Sequence, residues 1–373
     1  QILDSSLRMA AVKQTALYER HLEINGNMVP FAGFLLPSYY TSINQEHAAV
    51  RKKAGLFDVG HMGEFIVSGN DSSAFMQKMT VNDVLSLSTG QAQYSAMCYE
   101  NGGLVDDLLI YKRDESYLLV VNAANLEKDL QWLEDHVEGQ VSINNISDAT
   151  NLIALQGPKA RKILQPLIDS DLIDLPIYHF MDGQVSDSRA MIARTGYTGE
   201  LGYEIYAHPQ YIVKIWDAIM KSGSEYGIKP AGLGSRDTLR MEMKYALYGN
   251  DIDETTNPIE AGLGWIVKLG KGHFLGKDAL REAKDNLSRR LVCLEMTERA
   301  IPRNGCRILM DDEVVGHITS GTMSPSLQKG IGIGYVNIPF TKTGTAVKVD
   351  IRGKQKSAEI VKAPFYEHGS LLE

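Results

Sequence analysis

Short apolar runs separated by turn residues form the clearest pattern in the first half of the chain. Three of these runs predict an antiparallel meander and lie at residues 94–99, 104–111 and 117–121. The turn Glu100-Asn101-Gly102-Gly103 joins the first two runs, as in a β-hairpin. Four apolar residues then recur on one face of a predicted helix, namely Leu126, Leu130, Leu133 and Val137.

Further helices and strands are predicted on both sides of this meander. Ser42-Ile43-Asn44-Gln45 fits a capping box, so a helix is predicted to run through Lys53 and to stop at Gly55. Ser235 is predicted to cap another helix, with Asp237 in its first turn. Pro209 suits the first turn of a helix whose apolar stripe is Ile212, Ile215, Trp216 and Ile219. The other predictions are helices at 72–79 and 159–168, and strands at 56–59, 64–68, 191–194 and 203–207.

After about residue 285 the pattern changes to short strands separated by Gly, Asn and Asp. They lie at residues 290–295, 307–310, 314–319, 332–336, 346–351 and 356–362. This spacing predicts a small all-β barrel or sandwich. A domain boundary is predicted near residues 275–288, where a charged helical segment at 278–286 could act as a linker.

Composition narrows the class of protein. The 373 residues are 44% hydrophobic and 23% charged, as in folded globular proteins, and the net charge of −8 argues against nucleic-acid binding. No run of about 18 apolar residues predicts a membrane span, and residues 1–13 lack the apolar core of a signal peptide. The three separated cysteines, Cys98, Cys293 and Cys306, argue against a structural zinc site and favour a reducing compartment.

Common cofactor motifs are absent from the sequence. There is no P-loop, no zinc-binding His pair, and no dinucleotide fingerprint, since the glycines at 330–334 lack its spacing and fit a tight strand better. His61 stands in the segment Phe57-Asp58-Val59-Gly60-His61-Met62-Gly63-Glu64, where a structural histidine is the better interpretation.

Asp106 and Asp107 form the first candidate site. Side chains alternate across a strand, so one of the two carboxylates must point towards a covered face, where an unpaired charge is costly. A catalytic role and a hydrogen-bonded turn acid remain equally good interpretations at this point.

Three further polar residues stand in turn or apolar surroundings. Glu204 follows the glycine-rich turn at 194–203, Arg236 lies at a helix N-terminus, and Asn122 lies between a strand and a helix. Each also has a purely structural interpretation that is as good as a binding role. Glu204 would be a paired surface residue, Arg236 would be part of a surface ion pair, and Asn122 would be a helix cap.

Several motifs, in order from about Thr15 to Tyr366, resemble the glycine cleavage T-protein family. They are Phe31-Ala32-Gly33-Phe34, the 56–64 segment, Gly102-Gly103-Leu104-Val105-Asp106-Asp107, Leu155-Gln156-Gly157-Pro158, Gly196-Tyr197-Thr198-Gly199-Glu200, the 234–240 segment, Tyr248-Gly249-Asn250-Asp251-Ile252, and the 319–326 segment. The chain departs from the family pattern at Gly60, where Ser is frequent, and at Leu201, where an acid is frequent.

The resemblance implies an α+β fold in a three-domain, cloverleaf-like arrangement. Antiparallel sheets with helices would form a folate-binding region at 10–280, built from two interleaved domains (10–55 with 140–275, and 56–139). A β-barrel or jelly-roll domain would follow at 285–368. Tetrahydrofolate would lie in the central hole.

The resemblance also implies an aminomethyltransferase reaction. The one-carbon unit passes from the aminomethyl-lipoyl arm of H-protein to tetrahydrofolate, which gives 5,10-methylenetetrahydrofolate, ammonia and dihydrolipoyl H-protein. Tetrahydrofolate is a co-substrate, and no metal, nucleotide cofactor, nucleic acid or membrane is implied. The compartment would be the cytoplasm, or the mitochondrial matrix in a eukaryote.

The site residues follow from the same resemblance. Asp107 corresponds to the catalytic carboxylate, which would hydrogen-bond the N–H at folate N10 and stabilise an iminium-like carbon. Glu204 would bind the two N–H donors of the pterin, and Arg236 would support the pterin or hold Glu204. Asn122 would serve the remaining polar edges of the ring. The flat apolar walls would come from Tyr197, Tyr94, Met62 and either Tyr178 or Phe180.

Two alternatives share this fold. A folate-dependent demethylase-type transferase is one, although the related oxidases need a flavin domain for which the chain has no room. A non-catalytic folate-binding scaffold or iron–sulfur assembly factor is the other. Those relatives carry a reactive Cys in the turn that here reads Thr195-Gly196-Tyr197, and this chain has no Cys nearby.

Overall fold

The computed structural model describes residues 12–373, so the expectations for residues 1–11 lie outside the described part of the chain. Eight α-helices, α1 to α8, occur there: Tyr18–Glu23, Ile43–Lys52, Ser72–Met79, Leu126–Asp135, Ala160–Leu164, Pro209–Ser222, Leu233–Glu242 and Lys277–Asp285. The strands of the same part are β1 to β20: Lys13–Gln14, Met28–Phe31, Phe34–Pro37, Gly55–Asp58, Gly63–Ser68, Ala92–Cys98, Leu104–Lys112, Ser116–Val121, Ser142–Asn145, Asn151–Gln156, Phe180–Val185, Ser188–Ala193, Gly202–Ala207, Lys229–Pro230, Arg289–Met296, Arg307–Met310, Glu313–Ser324, Lys329–Asn337, Ala346–Ile351 and Lys354–Val361.

Two sheets form the larger part of the molecule. A six-stranded sheet has the order β11-β12-β13-β10-β4-β14, and a five-stranded sheet has the order β6-β7-β8-β5-β9. The chain leaves the six-stranded sheet after β4 and returns to it at β10, and the five-stranded sheet is built in that interval. An apolar cluster with residues from both sheets, including Tyr111, Val120, Ala154 and Tyr206, joins their facing sides.

The third part is a closed barrel of six strands in the order β15-β18-β17-β16-β19-β20. Closure leaves no unpaired strand edge. The α+β class and the C-terminal β-barrel are therefore confirmed, and the glycines at 330–334 lie within β18 as predicted. The domain bounds given above stay a prediction.

Local sequence signals explain many of these elements. The hydroxyl of Ser42 accepts a hydrogen bond from the backbone N–H of Gln45 at the start of α2, as the capping box requires. The predicted stripe of α6 is buried. The prediction for Ser235 is wrong, because the N-cap of α7 is Gly232, three residues earlier. Asp237 is consequently outside the first turn, and the Ser235 hydroxyl donates to the Gly232 carbonyl instead.

A buried ion network joins the sheet-and-helix part of the molecule to the barrel. The Arg51 guanidinium bonds Glu200 at 2.7 Å and Glu242 at 2.9 Å. Glu242 accepts from the barrel hydroxyl of Ser324 at 2.5 Å, and Glu200 accepts from the backbone N–H of Ser370 at 2.8 Å. Arg51 is only 7% exposed, so its charge serves this network and not the surface.

No helix within residues 12–373 is long and apolar enough to cross a membrane.

Candidate active site

Asp106 and Asp107 lie on β7 and point to opposite faces, as strand alternation predicts. Asp106 is fully buried, whereas Asp107 is half-buried on the face turned towards the six-stranded sheet. The Tyr94 hydroxyl donates to Asp107 Oδ2 at 2.8 Å, and Asn122 Nδ2 donates to Oδ1 at 2.9 Å. Burial and the neighbouring Asp106 charge raise the pKa of Asp107 to about 7. The carboxylate is held in one orientation and is poised to gain or lose a proton near neutral pH.

Asn122 connects the two aspartates. Its Nδ2 donates to Asp106 Oδ1 at 2.8 Å as well as to Asp107, and its backbone N–H donates to Asp106 Oδ2 at 3.0 Å. Asn122 is the N-cap residue of the following 3₁₀ turn, Ala123–Asn125, but its side chain makes no capping hydrogen bond and binds the aspartates instead. The amide nitrogen is occupied by the aspartates, whereas Oδ1 of Asn122 accepts no hydrogen bond from residues 12–373.

Glu204 lies on β13, in the facing sheet. Its Oε2 accepts a hydrogen bond from the Thr195 hydroxyl at 2.5 Å and a longer one, 3.5 Å, from the Tyr206 hydroxyl. Oε1 accepts no hydrogen bond from any of the described residues. Burial raises the pKa of the carboxyl group, and the hydrogen bond from Thr195 acts against that rise. One carboxylate oxygen is therefore fixed, and the other remains available.

Arg236 extends from α7 over the ring of Tyr197, with the guanidinium carbon 4.6 Å from the ring centroid. Its guanidinium has no hydrogen-bond acceptor within residues 12–373, and burial lowers its pKa. The Tyr197 hydroxyl donates to the Ala246 carbonyl, and its ring stacks on Tyr245 with centroids 5.7 Å apart. A half-buried cation without an acceptor next to a stacked aromatic pair is typical of a ligand-binding wall.

The charges of these groups act on one another, so the groups lie close together and form one site. Arg236 and Asp107 both affect the pKa of Tyr197, although burial is the largest cause of its rise. Glu204 and Tyr245 add to burial in raising the pKa of Tyr178 to about 12. The site therefore has Asp107, Tyr94 and Asn122 on the five-stranded sheet, and Glu204 on the facing sheet with Arg236 and Tyr197 near it.

The predicted apolar walls divide into two groups. Tyr178 is 37% exposed, and its phenol lies close enough to Tyr94 and Glu204 for their charges to act on one another, so its ring borders the site. Met62 is half-buried and packs on the apolar cluster between the sheets. Phe180 is buried in that cluster with its ring edge-to-face on Tyr111 at 5.5 Å, so of the two alternatives Tyr178 suits the wall and Phe180 suits the core.

His61 is buried between aromatic rings. Its imidazole lies edge-to-face on the ring of Phe31, with the ring centroids 5.6 Å apart. Burial and the Arg236 charge lower the pKa of His61 to about 4. A neutral, enclosed ring favours the structural interpretation. The preceding Gly60 has a steric cause, because a Cβ atom there would lie 2.1 Å from Nδ2 of Asn151.

Two features near the cavity had no sequence signal. Trp265 is 60% exposed, and its ring lies 6.1 Å from that of Tyr94. Asp129 on α4 is fully buried beside Asp106. Each becomes visible only when the chain folds, since Trp265 and Asp129 are remote in sequence from the residues they approach. In the part of the chain that the structure describes, no three His, Cys, Asp or Glu side chains are grouped to hold a metal ion.

Comparison with known proteins gives the same result over nearly the whole chain. The family model of the GCVT N-terminal domain matches residues 17–271, and that of the glycine cleavage T-protein C-terminal barrel domain matches residues 289–367. Curated relatives named aminomethyltransferase are 47% identical in Geobacillus sp. (strain WCH70), 50% in Chloroherpeton thalassium and 48% in Bacillus subtilis. Each alignment covers 95% of this chain and 99% of the relative.

A solved structure agrees with these relatives. Aminomethyltransferase T of the glycine cleavage system from Bartonella henselae superposes with a TM-score of 0.90 at 30% identity, over 96% of this chain and 99% of that one. The interpretation of the chain as an aminomethyltransferase enzyme of the glycine cleavage system is thereby confirmed. The chain belongs to the glycine cleavage T-protein family of aminomethyltransferases.

Proposed function

We propose that the cavity between Asp107 and Glu204 binds tetrahydrofolate and receives the aminomethyl-lipoyl arm of H-protein. The observation that carries the proposal is that two groups of different chemistry lie at the two ends of one site. Glu204 keeps one carboxylate oxygen free, and Arg236 lacks an acceptor within the described residues, whereas Asp107 carries a raised pKa at the other end.

The pterin fits the Glu204 end. Its amino-pyrimidine edge presents two adjacent N–H donors, which match a carboxylate in a bidentate arrangement. Thr195 holds Oε2 of Glu204, so the carboxylate enters such a pair already oriented. Arg236 supplies the cation that a pterin carbonyl accepts from, and Tyr197 supplies a flat face for stacking. Asn122 offers Oδ1 to the ring, and Tyr178 and Met62 form apolar walls.

Asp107 then acts where positive charge develops. The methylene carbon loses its bond to the lipoyl sulfur and its bond to the amine nitrogen, and it forms bonds to folate N5 and N10. The protons that leave N5 and N10 balance those gained by the sulfur and by ammonia. A carboxylate held by Tyr94 and Asn122 stabilises the iminium-like carbon and orients the N10 proton without forming a covalent bond.

The carrier arm must reach Asp107 from outside. Trp265 exposes most of its ring beside Tyr94, whose hydroxyl bonds Asp107. We propose that the lipoyl arm enters along this aromatic pair, because an exposed tryptophan buries large apolar area on contact. The curated relatives compared above are bacterial, so the cytoplasm is the proposed compartment.

The experiment is tetrahydrofolate-dependent release of ammonia from aminomethyl-loaded H-protein, together with calorimetric titration of tetrahydrofolate. Ammonia release that requires both substrates is expected. Folate binding without ammonia release would favour the scaffold alternative. Formation of methylenetetrahydrofolate from an N-methyl amino acid under oxidising conditions would favour the demethylase-type alternative.

A further inference from the structure

A third carboxyl group lies behind the two aspartates of the site. Asp129 is on α4, is 0% exposed, and neither of its carboxyl oxygens receives a hydrogen bond from a donor group within residues 12–373. Its carboxyl group is within hydrogen-bonding reach of the Asp106 carboxyl group. Neighbouring residues of the helix fix this approach, because Asn125 Nδ2 donates to Asp106 Oδ1 at 2.6 Å and Lys128 Nζ donates to the Val105 carbonyl.

Two buried carboxyl groups in contact share a proton, since both cannot be ionised together at low cost. The hydrogen bonds decide which group carries it. Asp106 accepts from the Asn122 backbone, from Asn122 Nδ2 and from Asn125 Nδ2, at 3.0, 2.8 and 2.6 Å. These donors all favour an ionised Asp106. Asp129 has none, and burial and the Asp106 charge raise its pKa.

We propose that Asp129 is a positioning residue that carries a proton at neutral pH, donates it in a hydrogen bond to Asp106, and so keeps Asp106 ionised and Asn122 fixed against Asp107. The proposal rests on the proposed role of Asp107. It adds a purpose for the buried pair. The negative charge on Asp106 adds to burial in raising the pKa of Asp107 to about 7, so the pH at which Asp107 ionises reports on the charge of Asp106.

Other titratable groups face this cluster. Lys128, Tyr99, Tyr248 and Glu254 lie on the Asp129 side, and Tyr94 and Tyr197 lie on the Asp107 side. The charge of Lys128 lowers the pKa of Asp129, but burial raises that pKa by more. Its ammonium is held between the Val105 carbonyl and the Tyr248 hydroxyl, the latter at 2.9 Å. The tyrosines have raised pKa values and stay neutral where Asp107 titrates.

A matched pair of variants separates donation from packing. Asp129→Asn keeps an N–H donor for Asp106, whereas Asp129→Leu keeps the branched shape of the side chain without a donor. In the Leu variant Asp106 loses the hydrogen bond that acts against its burial, so its pKa rises and its negative charge beside Asp107 is reduced. The acid limb of kcat should then move to lower pH by about one unit. We also expect kcat to fall about tenfold as Asn122 loosens. The Asn variant should retain the wild-type pH profile.

Infrared spectroscopy of the intact protein tests the proton itself, independently of turnover. The difference spectrum between wild type and Asp129→Asn at neutral pH should contain the carbonyl stretch of a protonated carboxylic acid. Absence of that band would overturn the proposal, as would an unmoved acid limb in Asp129→Leu or a pH profile in Asp129→Asn that matches the Leu variant. If the wild type released no ammonia, the proposed function would fail, while the band would still report on Asp129. If Asp129→Leu did not fold, the Asn variant and its spectrum would still decide.

Discussion

Replacement of Asp107 by Asn tests the central assignment, because it removes the charge and keeps the shape. In the structure Asp107 accepts one hydrogen bond from Asn122 and one from Tyr94. An Asn side chain can accept from Asn122 with its oxygen and donate to the Tyr94 hydroxyl, which is free to rotate. The site should therefore remain assembled, and the loss should fall on kcat rather than on folate affinity.

The magnitude follows from electrostatics. A unit charge about 4 Å from a developing cation is worth about 4 kcal/mol at an effective dielectric constant near 20. An amide dipole recovers part of this, so a loss of about 3 kcal/mol is expected, comparable to removal of one oxyanion-hole donor. That corresponds to a decrease in kcat of about 10²-fold. The dissociation constant of tetrahydrofolate should change by less than about threefold, as the two hydrogen bonds are retained.

Steady-state ammonia release as a function of pH supplies the assay. The wild type should lose activity as pH falls through about 7, because Asp107 is protonated there, and the Asn variant should lack this acid limb. A variant that kept more than a tenth of kcat, or that kept the acid limb, would refute the assignment.

The same variant has an opposite effect on stability. The pKa of Asp107 is higher in the folded state than in the unfolded chain, so the native protein binds more protons between about pH 4 and 7 and loses stability as pH rises through that window. The Asn variant escapes this cost, and its Tm should exceed that of the wild type at pH 8 but not below pH 4. Equal Tm values at pH 8 would contradict the raised pKa.

Three further substitutions address the rest of the cavity. Glu204→Gln replaces an acceptor by a donor against the pterin edge and should weaken tetrahydrofolate binding about 10- to 100-fold by calorimetry, whereas unchanged affinity would move the pterin elsewhere. Tyr94→Phe removes a donor to ionised Asp107, which raises its pKa further, so the acid limb of kcat should move to higher pH; a shift to lower pH would show that the hydrogen bond stabilises the acid form. Trp265→Ala should raise KM for H-protein about tenfold and leave tetrahydrofolate affinity unchanged, and equal KM values would exclude an arm path along this residue.

Sequence reasoning was sufficient where local rules act on short segments. The capping residue Ser42, the stripe of α6, the meander and the barrel strands all follow from periodicity and turn chemistry. It missed β10 and β11. All six residues of β10 are buried, so it shows no alternation of apolar and polar positions, and β11 contains Asp182 and Gly183. The helix predicted at 159–168 instead ends at Leu164 and continues as a 3₁₀ turn, Gln165–Leu167, because Pro166 has no N–H for an α-helical bond.

In the candidate site, too, the features set by local sequence rules could be predicted and those set by tertiary packing could not. Alternation along β7 correctly placed Asp106 and Asp107 on opposite faces, since that property depends on one strand. The engagement of Asn122 with both aspartates could not be predicted, because it depends on the register between β7 and β8. The position of Asp129 depends on how α4 packs behind the sheet, which no local pattern encodes.

The Arg51 network has a consequence for biosynthesis. Glu200 is 149 residues from Arg51 along the chain, and Ser370 is a further 170 residues on, yet the three side chains meet in one buried cluster. While the ribosome is still making the barrel, Arg51 and Glu200 can pair, but Glu200 lacks the Ser370 donors and Glu242 lacks Ser324. The nascent chain therefore carries an incompletely satisfied carboxylate until Ser370 has been made and has left the ribosome, and contacts of such long sequence separation form slowly. Truncation of the chain before residue 370 should therefore destabilise the region around Arg51, Glu200 and Glu242 as much as the barrel.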